Sequence, residues 1–411
     1  MWSCQPLPVV SFYIILIIVV LPAIFFALYS ASSDTRPFLN SCSASRNEID
    51  ASFLISRGVR LAATDAGLRF AHSFADPSCP RYIRSLQDAG AGVGHRAREW
   101  STSLWMAAAH NLTFVSSFLS VGHGVHGDYE GWDEFLGLTW GEDSNITEKL
   151  DLPALLLPSF GDWGKPSDFI LALWLPAIGA AGCNTLFNAP ADQFPNDVSF
   201  EVKPIMTWKF SAAAAERRLA GKQAPFIYDP AAINIALHYR VGDSQPTPEG
   251  TLFFTVGFFV SAFLAAGLDG PLRIHLHAEG SPVLSHFGVD DLTEGSELVT
   301  LEVHTDLDAR ATFWHLANAD VFIGSQSDFS RLVGMVALRP LIVLHHTLKA
   351  FCVDTTICCD YASSCIESHG ARIEAAAARL VAAQHCGDWG AHTATADEAW
   401  PLNIQYAQLA G

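Results

Sequence analysis

In the second half of the chain, short apolar runs alternate with longer stretches that carry apolar residues at helical spacing. Residues 234–239, 272–278, 298–304, 320–323 and 341–344 have the length of strands and are bounded by polar or turn-forming residues, which predicts a set of buried strands. Residues 252–267, 309–317 and 327–338 predict the helices between them. Strands alternating with helices imply an α/β fold with a parallel sheet, right-handed crossovers and a ligand site at the carboxyl ends of the strands. The first half is less regular. Residues 96–110 predict a helix leading into a short strand at 112–115, a loop crowded with Trp, Gly and Asp spans 123–143, and the Ala-rich stretch 212–221 predicts a helix before a link at 222–230.

One segment fits neither period. Residues 9–29 carry no charge, and about 20 apolar residues suffice to cross the hydrocarbon core of a bilayer. Pro22 is tolerable in such a span. The leader, residues 1–8, has no Lys or Arg, which favours an uncleaved signal anchor over a signal peptide cut near residues 30–32. The expected organisation is a cytoplasmic stub at 1–8, a transmembrane anchor at 9–29, a stem at 30–60, an N-terminal domain at 61–222 and a C-terminal domain at 223–411. Two features place the body in an oxidising lumen. Asn111-Leu112-Thr113 and Asn145-Ile146-Thr147 have the form of glycosylation acceptors, and eight of the nine cysteines follow the span. Cys352, Cys358, Cys359 and Cys365 read as a disulfide-stapled loop, because their spacing lacks the paired knuckles of structural zinc sites.

Composition narrows the classes. Apolar residues make up 50% of the 411-residue chain and charged residues 16%, which excludes a disordered or fibrous protein. The formal charge of -18 disfavours nonspecific binding to nucleic acid or to an anionic membrane surface. An anionic ligand must therefore be held by a local cationic site.

Two strand ends have the chemistry for one. His238-Tyr239-Arg240-Val241-Gly242-Asp243 closes the first strand of the second half. There the planar fork of Arg240 can hold two phosphate oxygens, Gly242 lets backbone approach, and alternation puts His238 on the same face as Arg240. An Arg240–Asp243 pair closing a turn is the structural alternative. Further on, Gly324-Ser325-Gln326-Ser327-Asp328 joins a strand to a helix start, where free N–H groups and hydroxyls make an anion seat. The alternative there is plain helix capping by Ser325 or Ser327. His275 and His277 share one face of a strand and read as sheet-core or cleft-lining residues rather than metal ligands. Asp306 and Asp308 mimic a metal-binding pair but sit before a helix as capping residues do. The aromatic and acidic loop at 124–135 offers stacking and hydrogen bonding to an acceptor sugar. No Gly-x-Ser-x-Gly elbow of a serine hydrolase is present.

The His-x-Arg-x-Gly-Asp strand end, followed by an Ala-Asp-x-x-Ile-Gly-x-x-Ser-x-Phe-Ser turn, resembles the superfamily of α1,6-fucosyltransferases and protein O-fucosyltransferases. Gly92-Val93-Gly94-His95-Arg96 is similar to the Gly-rich, Arg-containing motif in the N-terminal domain of that superfamily. The resemblance implies a GT-B architecture, two Rossmann-like domains facing a cleft, with GDP-fucose held by the second domain and no metal required. On that basis Arg240 holds the β-phosphate, His238 the nucleoside side, Gly242, Gly324, Ser325 and Ser327 the diphosphate, and Gly92, Gly94 and Arg96 complete the donor site. Glu249, with Asp243 second, is the family-like base that deprotonates the acceptor hydroxyl. Two positions depart from the pattern: Val241 stands where the α1,6 type often has a second Arg, and Asp328 where it has a hydroxyl. An acidic group beside a diphosphate is repulsive unless it turns away. The expected protein is thus a single-pass type II Golgi glycosyltransferase, with the endoplasmic reticulum as the other location. It inverts at a GDP-linked sugar and acts on a glycan or glycoprotein. A transferase using another nucleotide sugar, or a lumenal glycan-binding pseudo-transferase, are the alternatives.

Overall fold

The computed structural model describes residues 78–86, 92–115, 131–138, 152–159, 166–191, 227–229, 231–240, 249–278, 296–305, 307–337, 341–345, 356–359 and 363–385, with shorter pieces between 202 and 222. The expected stub, anchor and stem lie outside these residues, as do Asn145, Gly242 and Asp243. No helix among the described residues is long and apolar enough to cross a membrane.

Two parallel sheets organise the described residues, both within one compact unit. The first contains β1 (Arg81–Ser85), β2 (Thr113–Phe114), β3 (Ala154–Leu156) and β4 (Thr185–Ala189) in the order β2-β1-β4-β3. Helices α1 (Val93–His110), α2 (Trp132–Leu136) and α3 (Ser167–Ala180) accompany it. The second half then runs β5 (Ile233–Tyr239), α4 (Glu249–Ala265), β6 (Leu272–Ala278), β7 (Val299–Thr305), α5 (Ala309–Asn318) and β8 (Val321–Gly324). It continues with α6 (Asp328–Val336), β9 (Leu341–His345), β10 (Thr356–Cys359), α7 (Ser363–Ser368) and α8 (Gly370–His385). Its strands pair in the order β10-β9-β8-β5-β6-β7, parallel throughout. The α/β expectation holds, and the expected strands and helices of this half are found with ends shifted by a few residues.

Alternation decides what each face of the six-stranded sheet meets. Ile233, Ile235 and Leu237 of β5, with Leu272, Ile274 and Leu276 of β6, share a core with Leu252, Phe259 and Phe263 of α4 and Ile373 and Val381 of α8. Fully burying a side chain of this size stabilises the fold by about 1.5–3 kcal/mol. The opposite face presents Asn234, Ala236 and His238 of β5 and His275 and His277 of β6. Ala236, with Phe322 of β8, packs into the core shared by Trp100 and Leu104 of α1, Trp132 and Leu136 of α2, Phe313 of α5 and Leu332 of α6. That face therefore looks toward the first half of the molecule.

The aromatics at the end of the 124–135 loop belong to this core. Trp132 is 1% exposed and meets Phe313 and Phe329 edge-on at 5.7 and 6.2 Å between ring centroids. Phe135 packs on Phe210 and Phe313 at 5.8 Å. Trp132 and Phe135 thus join the two halves rather than offering a surface for an acceptor sugar; residues 124–130 lie outside the described ones. Disulfides Cys79–Cys183 and Cys359–Cys365 bear out the reading of the cysteines, the second inside the expected loop, and Cys358 is disulfide-bonded as well.

Candidate functional site

The two strand ends singled out in the sequence meet. β5 pairs with β8 so that His238 lies opposite Gly324, and the Ser325 amide donates to the His238 carbonyl at 3.1 Å. Arg240, one residue beyond β5, donates from Nη1 to Ser327 Oγ at 3.3 Å. Ser327 is also the N-cap of α6, its extended backbone letting Oγ accept from the Phe329 amide at 3.2 Å. Capping and ligand seat are thus compatible: the cap orients the hydroxyl that Arg240 touches. Ser325 is 2% exposed and its Oγ finds no hydrogen-bond partner among the described residues. A buried hydroxyl left unpaired costs about 1–3 kcal/mol, so a ligand oxygen that reached it would bind with that penalty relieved.

His238 is half-buried, with Nδ1 2.7 Å from Ser330 Oγ. Burial, and then the Arg240 charge, pull its pKa down to about 3, so the ring is neutral at physiological pH. Gly324 stands where an added Cβ would meet Leu344, Ser330 and Phe322 side chains at 2.8 to 3.1 Å, which keeps this strand end flat.

The Gly-rich motif of the first half reaches the same turn. Gly92 is the N-cap of α1, and a Cβ there would meet nothing within 4 Å. Gly94 is the demanding one: a Cβ would collide with the backbone of Asp328 and Phe329. α1 thereby sets its first turn against the first turn of α6. Arg96, in that first turn, is 2% exposed and faces the interior.

This approach answers the question raised by Asp328. Its Oδ1 lies 2.7 Å from Arg331 Nη1 and 3.1 Å from Arg98 Nη1, and its Oδ2 3.6 Å from His95 Nδ1. Burial alone would raise its pKa. The neighbouring His95 ring and the charges of Arg98 and Arg331 outweigh that and hold the carboxyl well below the usual range. The acidic group is occupied by two buried guanidiniums. Sequence reasoning missed Arg98 and Ser330; the i, i+3 spacing of Asp328 and Arg331 was the visible hint of the ion pair. Glu249 opens α4, immediately after the segment that follows Arg240.

The histidines continue the row. In register, Gly324 lies opposite His238, His238 opposite His277, and His277 opposite His304. His277 Nε2 is 3.0 Å from the Tyr228 hydroxyl, and the His304 ring stacks on His277 at 4.8 Å. His275 faces Glu302 and His304 instead, a grouping across strands that the sequence did not suggest. Asp308 caps α5, its Oδ1 accepting from Arg310 and Ala311 amides at 3.0 Å, as its position before a helix predicted.

No protein-family model matches this chain, and no curated protein matches it. Among solved structures it is similar to POFUT1 in complex with GDP-fucose, at 14% identity and a TM-score of 0.41, over 65% of this chain and 98% of that one. It is also similar to E. coli heptosyltransferase WaaC with ADP, at 11% identity and a TM-score of 0.38, over 72% of this chain and 99% of that one.

Proposed function

We propose that the chain is a glycosyltransferase of GT-B type that binds a GDP-linked sugar, fucose or a related one, and transfers it with inversion to a glycan or glycoprotein. The observation that supports this reading is the contact between Arg240 and Ser327. It joins a guanidinium at one strand end to the capped helix start of another, at the carboxyl edge of a parallel sheet. That arrangement suits a diphosphate, with a planar donor fork on one side and helix-end amides and a hydroxyl on the other. His238, neutral, lines the nucleoside side. Pairing of Asp328 with Arg98 and Arg331 removes the repulsion an acidic residue would exert there.

Chemistry follows from charge. As the glycosyl bond breaks, negative charge grows on the leaving diphosphate, and donors already in place stabilise it without reorganising. Glu249, or Asp243, takes the proton of the acceptor hydroxyl as the new bond forms on the opposite face of the sugar. No metal is required for that step, and turnover is expected to survive chelation. In this reading the body is lumenal in the Golgi, held by the apolar segment at 9–29 as a type II anchor.

A thermal-shift series of the full chain with GDP, UDP and CMP tests the proposal. A ligand that binds only the folded state must raise its stability. Stabilisation by GDP above the other two is the expected result. A response to UDP or CMP alone would change the donor, and silence from all three would favour a glycan-binding protein without a donor site.

A further inference from the structure

We propose that the edge of the six-stranded sheet binds a transition-metal ion of the zinc class through His275 Nδ1, His304 Nε2 and a Glu302 carboxylate oxygen. The site shares no residue with the diphosphate seat. β6 and β7 pair so that His275 lies opposite Glu302 and His277 opposite His304, which puts all four on one face. The three ligand atoms lie within 4.8 Å of one another. His275 Nδ1 is 3.0 Å from His304 Nε2 and 3.6 Å from Glu302 Oε2, and His304 Nε2 is 4.0 Å from that oxygen. Nitrogens bound to zinc at about 2.0 Å in tetrahedral array stand about 3.3 Å apart, so these separations bracket what the ion needs.

The surroundings point the lone pairs inward. Asn234 donates from Nδ2 to the carbonyls of Asp229 and Ala232 at 3.1 and 2.9 Å, so its Oδ1 is the acceptor that faces His275 Nε2 at 3.0 Å. His275 must therefore carry its proton on Nε2, and Nδ1 is left as a lone pair toward His304 and Glu302. This is the outer-sphere arrangement that fixes a metal-ligating histidine. Arg273 stands 3.8 Å from Glu302 Oε1, the other carboxylate oxygen, leaving Oε2 turned to the histidines. A carboxylate set against an imidazole lone pair is repulsive unless a positive charge lies between them. His275 is 1% exposed, while His304 and Glu302 are 17% and 43% exposed, so an ion can enter from the edge and keep a water. Two imidazoles and one carboxylate suit zinc better than magnesium or calcium.

The test uses the full chain, stripped with EDTA and dialysed against zinc, with His304→Ala and Glu302→Gln as site variants and His369→Ala as a remote control. Both site residues are partly exposed, so the variants should fold, and melting checks that they do. The expected result is about one more zinc per chain in wild type and control than in His304→Ala. Affinity should fall at least about tenfold in Glu302→Gln. Cobalt should give a visible absorption band in wild type that His304→Ala lacks. GDP binding by the zinc-free protein should be unchanged, which separates this site from the donor reading. Equal zinc stoichiometry and affinity in wild type and both variants, or no zinc in wild type, would overturn the proposal and leave an N–H···N pair between the rings.

Discussion

Arg240 carries most of the functional reading, and two substitutions separate its roles. Arg240→Lys keeps the charge and loses the fork; Arg240→Ala loses both. Charge-assisted hydrogen bonds contribute about 1.5–3 kcal/mol, so Ala should weaken GDP binding on the order of 10- to 100-fold, with Lys intermediate. Calorimetry and melting on the same samples decide the matter: a lowered melting temperature with unchanged GDP affinity would reduce Arg240 to a structural partner of Ser327. Ser327→Ala removes both the helix cap and the Arg240 contact. It should destabilise the protein by about 1 kcal/mol and weaken GDP binding as well, whereas Ser327→Asp, also a good cap, should restore stability and not binding. At this scale the sequence was informative, because a strand end, a glycine and a hydroxyl before a helix declare their chemistry locally.

The contact between the first turns of α1 and α6 is legible only as two separate motifs in the chain. Gly94→Ala would drive a methyl into the Asp328 backbone, so it should lower stability and GDP affinity together, while Gly92→Ala, with open space around it, should leave the melting temperature near wild type. Asp328→Asn removes the carboxylate that Arg98 and Arg331, 2% and 3% exposed, share. It should lower stability, by less than the about 3–5 kcal/mol that breaking a fully buried pair costs, because the Asp328 side chain is 27% exposed. The pH dependence has a definite sign. The folded Asp328 carboxyl holds its proton less tightly than the unfolded one, so its stabilisation is complete above the ordinary value of 3.8 and is lost as pH falls below it. Denaturant midpoints of wild type and Asp328→Asn should therefore differ most near neutrality and converge in acid; a constant difference would show that the ion pair contributes little.

Across the whole molecule, Cys79–Cys183 closes a span of 104 residues around the first sheet. Removing such a crosslink typically costs about 2–5 kcal/mol, so Cys79→Ala with Cys183→Ala should lower the melting temperature while GDP binding by the folded fraction persists. Asn111 is exposed in a left-handed turn at the end of α1, a position an oligosaccharyltransferase can reach. Expressed in a secretory system, the chain should lose mass on glycosidase treatment, and Asn111→Gln should remove part of that shift.

By itself the sequence determined the α/β class, β5 to β9 and α4 to α6 of the second half, and which residue types stand at the ends of β5 and β8, since periodicity, caps and turn residues are properties of neighbours along the chain. It did not reveal β1 or β4, which are five residues long, β1 with arginines inside it, nor α3, which is apolar around much of its surface and contains Pro176, so that no clear period shows. Tertiary structure alone decided which motifs meet. Strand order and register bring His275 to Glu302 and His304, and close helix packing at Gly94 brings Arg98 to Asp328. Those distances depend on residues far apart in sequence being held at fixed spacing by a common core, and a one-residue slip of β7 along β6 would turn Glu302 and His304 to the face opposite His275.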